Sequence, residues 1–310
     1  MEKVINFAKR NVHILIITAV AVLGLIFGSI FDYQISQRLY DPAYPGDAFT
    51  ILVAGFAEFP TYLLCTFGGA GLIATMPTDK TWKKVLSWVV GLLSIIIATG
   101  AGIKTTTEYI VQAEAVKDYT TLLKVLGLLI VLGCSLLVIL VVFLKKDKFD
   151  KKKLFKTSIY MIAVAGSYVI ISNVVKYGVC RPRPLIVFDP ESGVAFRNWF
   201  VINPFDAFKH GADKDLYLSF PSGHTGAAFT LVGTLPALFA LFESTNTKKM
   251  EIVGIYTGLV FGLACALGRI LSGAHFLADV SMGALLVCIE ILVIKELLPV
   301  IFRKCGVKDE

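Results

Sequence analysis

The composition of this 310-residue chain excludes a water-soluble domain: 56% of its residues are hydrophobic and only 17% charged, against about 45–50% and about 25% in soluble domains. Mean hydropathy is +0.73, more apolar surface than one soluble core can hide. The net charge of +7 would suit nucleic acid, but the basic residues gather in short loops between apolar runs, which points to membrane orientation instead.

In chain order, Lys9 and Arg10 precede an apolar run over 12–31. About 20 such residues cross a bilayer core. The run ends in GSIFDYQ, without the small-residue cleavage site of a signal peptide, so it is expected to be a first transmembrane helix. Further apolar windows over 51–76, 85–103, 122–144, 157–175, 224–242, 252–268 and 280–299 bring the expected spans to eight. Continuous runs of this length are helical, because barrel strands alternate over about ten residues. Glu58 and Pro60 predict a kink or a later start for the second. The expected fold is therefore all-α, a polytopic membrane helical bundle forming a single integral domain over 1–310.

Loop charge gives the orientation. With the N-terminus in the cytoplasm, the loops on that side carry 18 Lys and Arg and those on the other side 10, and KKDKFDKKK after the fourth span contributes most. Both termini are then expected inside. The six cysteines (Cys65, Cys134, Cys180, Cys265, Cys288 and Cys305) show no metal-binding or redox spacing, and four lie in apolar runs where Cys behaves as a small hydrophobe. Cys180 is expected to be a loop filler.

Three clusters carry the chemistry: KYGVCRPRP with Lys176 and Arg183, PSGH over 221–224, and RILSGAHFLAD with Arg269, His275 and Asp279. Lys176 ends the fifth span, His224 opens the sixth, and 269–279 joins the seventh to the eighth, so all three fall on the outer face. Ser222 is placed as an N-cap, where free backbone N–H groups and a partial positive charge seat phosphate oxygens. Gly223 lets the backbone approach closely. Alone, PSGH equally reads as an ordinary helix start. His275 and Asp279, four apart, share a helical face. A carboxylate on one imidazole nitrogen fixes the tautomer and leaves the other nitrogen to attack; the bland alternative is a capping pair. Arg269, Arg183 as a fork and Lys176 as a point charge are suited to phosphate. This is an inventory for gripping a phosphate and attacking it with an imidazole, and the membrane setting makes a lipid the expected substrate.

The set K-x6-RP, PSGH and R-x5-H-x3-D resembles the type 2 phosphatidic acid phosphatase (PAP2) superfamily of membrane lipid phosphatases, which shares its site with vanadium haloperoxidases and glucose-6-phosphatases. The resemblance implies a catalytic core over 154–300 behind four N-terminal helices over 1–153, which are matched only loosely. It implies a phosphohistidine on His275 oriented by Asp279, with His224 protonating the leaving alkoxide and then activating water. Lys176, Arg183, Arg269, Ser222 and the Gly223 N–H would hold the phosphoryl oxygens, with no metal or other cofactor. Gly268 stands where the family usually has Ser before the Arg, which removes one hydroxyl donor.

The expected function is hydrolysis of a lipid phosphate or diphosphate, such as phosphatidate, phosphatidylglycerol phosphate, a polyprenyl diphosphate or lipid A. The expected location is a bacterial plasma membrane with the site extracytoplasmic, and the expected partners are substrate and membrane lipids, not nucleic acid. The alternatives are a lipid phosphotransferase on the same site and a non-enzymatic membrane protein with a decayed site. A glucose-6-phosphatase-like enzyme is a minor option, and the apolar spans exclude a soluble haloperoxidase. Glu58 is the best outside candidate for contact with the site. Arg181 either assists Arg183 or faces water. Lys124 and Lys295 are expected to reach an interface, and Glu290 is a further intramembrane charge. His13 and His210 are expected at an interface and in a loop. Phe196, Trp199, Phe200, Phe205 and Phe208 either lie on the headgroup layer or pack a loop core.

Overall fold

The computed structural model describes residues 2–41, 55–75, 80–111, 120–242 and 247–305, and among them every regular element is a helix. A short charged helix, α1 (Glu2–Arg10), leads into α2 (Val12–Leu39). At 1.5 Å per residue, the 28 residues of α2 reach about 42 Å, enough for a hydrocarbon core and its interfaces. Then come α3 (Phe59–Ala74), α4 (Thr81–Val111), α5 (Thr120–Lys145) and α6 (Lys151–Val179). After a single turn, α7 (Pro184–Val187), and a long loop, the chain continues as α8 (Gly223–Phe229), α9 (Leu231–Phe239), α10 (Thr247–Leu271) and α11 (Leu277–Lys304).

Among the described residues, five segments are long and apolar enough to cross a membrane: Val12–Leu39, Thr81–Thr106, Thr121–Lys148, Lys151–Val187 and Thr247–Leu271. They leave large aliphatic side chains bare, with Val20, Leu23 and Ile30 of α2 each at least 60% exposed. A helix in water buries such a stripe; these side chains are covered by lipid, and the chain is an integral membrane protein.

The other three expected spans depart from that pattern for local reasons. Helix α3 has 16 residues and starts at Phe59 with Pro60 in its first turn, after a bend at 57–58 that follows helical residues 55–56, an interruption at the place where Glu58 and Pro60 predicted a kink or a later start. The window 224–242 is two helices that meet at Thr230, with Pro236 inside the second. Helix α11 covers 280–299 but carries Glu290, Lys295 and Glu296 through that stretch.

The helices pack as two units. One comprises Met1–Ala57, Ser167–Phe229 and Val260–Glu290; the other comprises Glu58–Gly166, Thr230–Leu259 and Ile291–Glu310. In the second, a Cβ on Gly69 would lie 2.5 Å from the Gly91 carbonyl oxygen, so α3 and α4 touch backbone to backbone. Here Glu58 accepts hydrogen bonds from the Tyr62 hydroxyl and, at 3.3 Å, from Thr105. These two contacts of Glu58 belong to the α3–α4 packing.

In the first unit, α2 seats the start of α11. A Cβ on Gly24 would lie 2.5 Å from Ser281 Oγ, and one on Gly28 would lie 2.6 Å from the Ala278 nitrogen. This Gly-x-x-x-Gly strip is what lets the backbones approach. The loop aromatics divide into packed and exposed ones. Phe196 packs edge-on to Tyr33 and Phe276, and Trp199 stacks on Phe220 while donating to Ser29 Oγ at 2.8 Å. Phe200, Phe205 and Phe208 stay exposed. Cys180 is fully buried in a small core with Ala207 and Leu218, the filler role expected of it. His210 stacks on Tyr217 in the loop.

Candidate active site

The three motifs converge in the first unit. Lys176 lies in the last turn of α6, half-buried, and Arg183 caps the single turn α7. The Arg183 guanidinium is aimed by two carbonyls: Nε donates to Asp215 O at 2.8 Å and Nη1 to Ala274 O at 3.4 Å. Ala274 is the residue before His275, so the first motif is tied to the third.

Ser222 caps α8 as its sequence position predicts. Its Oγ accepts from Thr225 N at 3.4 Å and donates to Thr225 Oγ1 at 2.9 Å, the geometry of a Ser N-cap. His224, in the first turn behind that cap, is buried and lies within electrostatic reach of Arg269, His275, Lys176 and Arg183, in that order of influence. The Ser222 N–H donates to Asp279 O at 2.9 Å, which ties the second motif to the third.

The six-residue step from Arg269 to His275 is a helix stop. The Arg269 carbonyl accepts from both Ala274 N and His275 N at 3.1 Å, while Gly273 takes φ +66°. A Cβ at Gly273 would also meet the Tyr40 ring at 2.6 Å, so glycine is required by both torsion and space. Helix α11 then starts with Phe276 as its cap residue. Asp279, in the first turn, reaches back to accept from Phe276 N at 2.8 Å, the acidic half of a capping box. The capping reading and the imidazole-partner reading of this Asp therefore hold together.

Asp279 Oδ2 sits 3.8 Å from His275 Nδ1, outside direct hydrogen-bond range. The Ser219 hydroxyl lies between them, 2.5 Å from Asp279 Oδ2 and 3.4 Å from His275 Nδ1. With Nδ1 turned to these acceptors, the proton of a neutral imidazole belongs there and Nε2 keeps its lone pair. Burial holds His275 well below its ordinary imidazole value; Asp279 opposes the shift, and Arg183 and Arg269 add to it. The ring is therefore neutral at neutral pH, the state a nitrogen nucleophile requires.

Three contributors fell outside the predicted site. Ser219 is one. Tyr168, on α6, donates to Ser222 O at 2.7 Å and braces the cap. Arg181, read as either assisting Arg183 or facing water, does neither. It is completely buried, 4.1 Å from the Phe276 ring, with Nη1 on Asp279 Oδ1 at 2.6 Å and Nη2 on Asp32 Oδ2 at 2.9 Å. Only Arg181's place two residues before Arg183, and Ser219's three before Ser222, hinted at this.

Residues 156–300 match the model of the PAP2 superfamily. Over 166 residues the chain is 28% identical to the lipid A 4'-phosphatase of Francisella tularensis subsp. novicida (strain U112), covering 52% of this chain and 68% of that protein. No solved structure matches it.

Proposed function

We propose that this chain, which belongs to the PAP2 superfamily, is a membrane lipid phosphatase working through a phosphohistidine. The observation that carries the reading is one buried cluster. It holds His275 with Nδ1 turned to Ser219 and Asp279, and His224 in the field of Arg269, Lys176 and Arg183. In this reading the negative charge of the bound phosphate offsets Arg269, Lys176 and Arg183, which together with burial otherwise disfavour a cationic His224. The protonated His224 then gives its proton to the departing headgroup oxygen as His275 Nε2 attacks phosphorus. His224, now neutral, takes a proton from the water that cleaves the P–N bond. Lys176, Arg183, Arg269 and the N–H groups at the start of α8 hold the three phosphoryl oxygens, whose charge they neutralise without reorganising. Ser222 acts through the helix end it caps, and Gly223 keeps that end open.

The similarity to a lipid A 4'-phosphatase supports a phosphate monoester on a glycolipid headgroup as the first substrate to try. The cytoplasmic loops' basic excess supports a site on the extracytoplasmic face. The test is phosphate release by the purified protein in detergent, across a panel of lipid A-type, glycerolipid and polyprenyl phosphates in EDTA. Release without an added acceptor, and inhibition by vanadate as a trigonal-bipyramidal mimic, is the expected result. Activity lost in EDTA and restored by magnesium would overturn the mechanism, and turnover only with an acceptor lipid or sugar would make the protein a phosphotransferase.

A further inference from the structure

The first transmembrane helix, which lies outside the residues matching the PAP2 model, places a carboxylate in this cluster. Asp32 is 1% exposed on α2 and bonds in two directions. Its Oδ1 accepts from Ala278 N at 3.0 Å, so it supplies the capping acceptor that Phe276, at the cap position of α11, lacks. Its Oδ2 takes Arg181 Nη2 at 2.9 Å, while Arg181 Nη1 takes Asp279 Oδ1 at 2.6 Å. Arg181 Nε is held by Arg197 O at 2.8 Å, so the guanidinium has one fixed orientation between the two carboxylates.

The charge count gives this arrangement a purpose. Arg181 with Asp279 alone would be a neutral pair, and the field of Asp279 at His275 would be cancelled by the guanidinium behind it. A second carboxylate makes the buried triad net negative by one. That negative charge is unneeded while His275 is neutral; it is matched when the ring becomes cationic on phosphorylation. Electrostatic groups fixed in advance where charge develops are worth far more in a dry site than in water.

Resting on the phosphohistidine reading above, we propose that Asp32 is a positioning residue for that chemistry: by offsetting the Arg181 guanidinium it leaves the negative charge of Asp279 uncancelled toward His275, and it aims the first turn of α11. The N-terminal helix is then part of the catalytic apparatus. The test compares Asp32→Asn and Asp32→Glu with wild type in the full chain, using lipid phosphate turnover and rapid-quench phosphoenzyme formation. Asp32→Asn should lower kcat and the phosphorylation rate about 10²-fold, as small misplacements at a reacting centre do, with KM within about threefold. Asp32→Glu, which keeps the charge, should recover most of the loss. An Asp32→Asn enzyme with wild-type kcat, a loss carried by KM, or an Asp32→Glu enzyme as slow as Asp32→Asn overturns the proposal. Should Asp32→Asn fail to fold, Arg181→Lys takes its place, since one nitrogen replaces the fork between the carboxylates: a kcat loss at constant KM supports the relay, and unchanged kcat refutes it. A wild-type protein inactive on every lipid phosphate would instead refute the phosphatase reading itself.

Discussion

Asp279 holds the end of a helix and faces an imidazole with the same carboxyl group, and that sharing governs how individual substitutions should fail. Its Oδ2 meets Phe276 N and Ser219, and its Oδ1 meets Arg181, so its position is set by three donors and varies little. The two histidines have no such overlap in the proposed reaction. His275→Ala removes the attacking nitrogen and should abolish both turnover and phosphoenzyme. His224→Ala removes a proton carrier, which typically costs about 10²–10⁴-fold. Slow turnover should persist, and p-nitrophenyl phosphate should partly rescue the phosphorylation step because its leaving group needs no proton. Radiolabelled phosphoenzyme in His275→Ala but not in His224→Ala would reverse the assignment. At this scale the sequence was legible wherever the chemistry was local. Lys176, Arg183, His224, Arg269, His275 and Asp279 announce themselves by spacing. Asp32 does not, because its partners, Arg181 and Ala278, lie 149 and 246 positions away. An acid ending an apolar run looks like the edge of a loop, and its actual signal is its place one turn after the Gly24–Gly28 pair.

Among the elements, α2 and α11 approach one another closely. A Cβ on Gly28 would lie 2.6 Å from Ala278 N and 2.8 Å from Asp32 Oδ1, and neither backbone nor a carboxylate held by two donors can easily yield. Gly28→Ala should therefore destabilise the protein by about 1–3 kcal/mol, the usual cost of overpacking, and slow catalysis as well. Thermal unfolding in detergent beside a kcat measurement checks both; an equally stable and active variant would show that α2 shifts to accommodate the methyl group. Helix existence was legible from runs of apolar residues, since a continuous apolar run of that length satisfies its backbone in lipid as a helix. Helix continuity was not. The break at Thr230 separates α8 from α9, and no composition window registers it, because both pieces are apolar. The strongly apolar α5 and the charge-interrupted α11 likewise differ in what each contacts, which hydropathy does not record.

For the whole molecule the remaining question is which way it faces. Loop charge places 18 basic residues on the proposed cytoplasmic side and 10 on the other. Four of those ten, Lys176, Arg181, Arg183 and Arg269, are occupied in or beside the site, so the bias among ordinary surface residues is larger still. The strongest contribution is the lysine-rich turn between α5 and α6, which includes Lys146–Lys148. Between Lys148 and Lys214 lies one candidate span, along the 29 residues of α6. Both lysines are exposed. In a background stripped of the native cysteines, Lys214→Cys should react with a membrane-impermeant maleimide added to intact cells, and Lys148→Cys should react only after the membrane is opened. The motifs after α6 and between α10 and α11 would then face lipid of the outer leaflet. The opposite labelling would put catalysis on the cytoplasmic leaflet and the more basic loops outside, against the positive-inside rule.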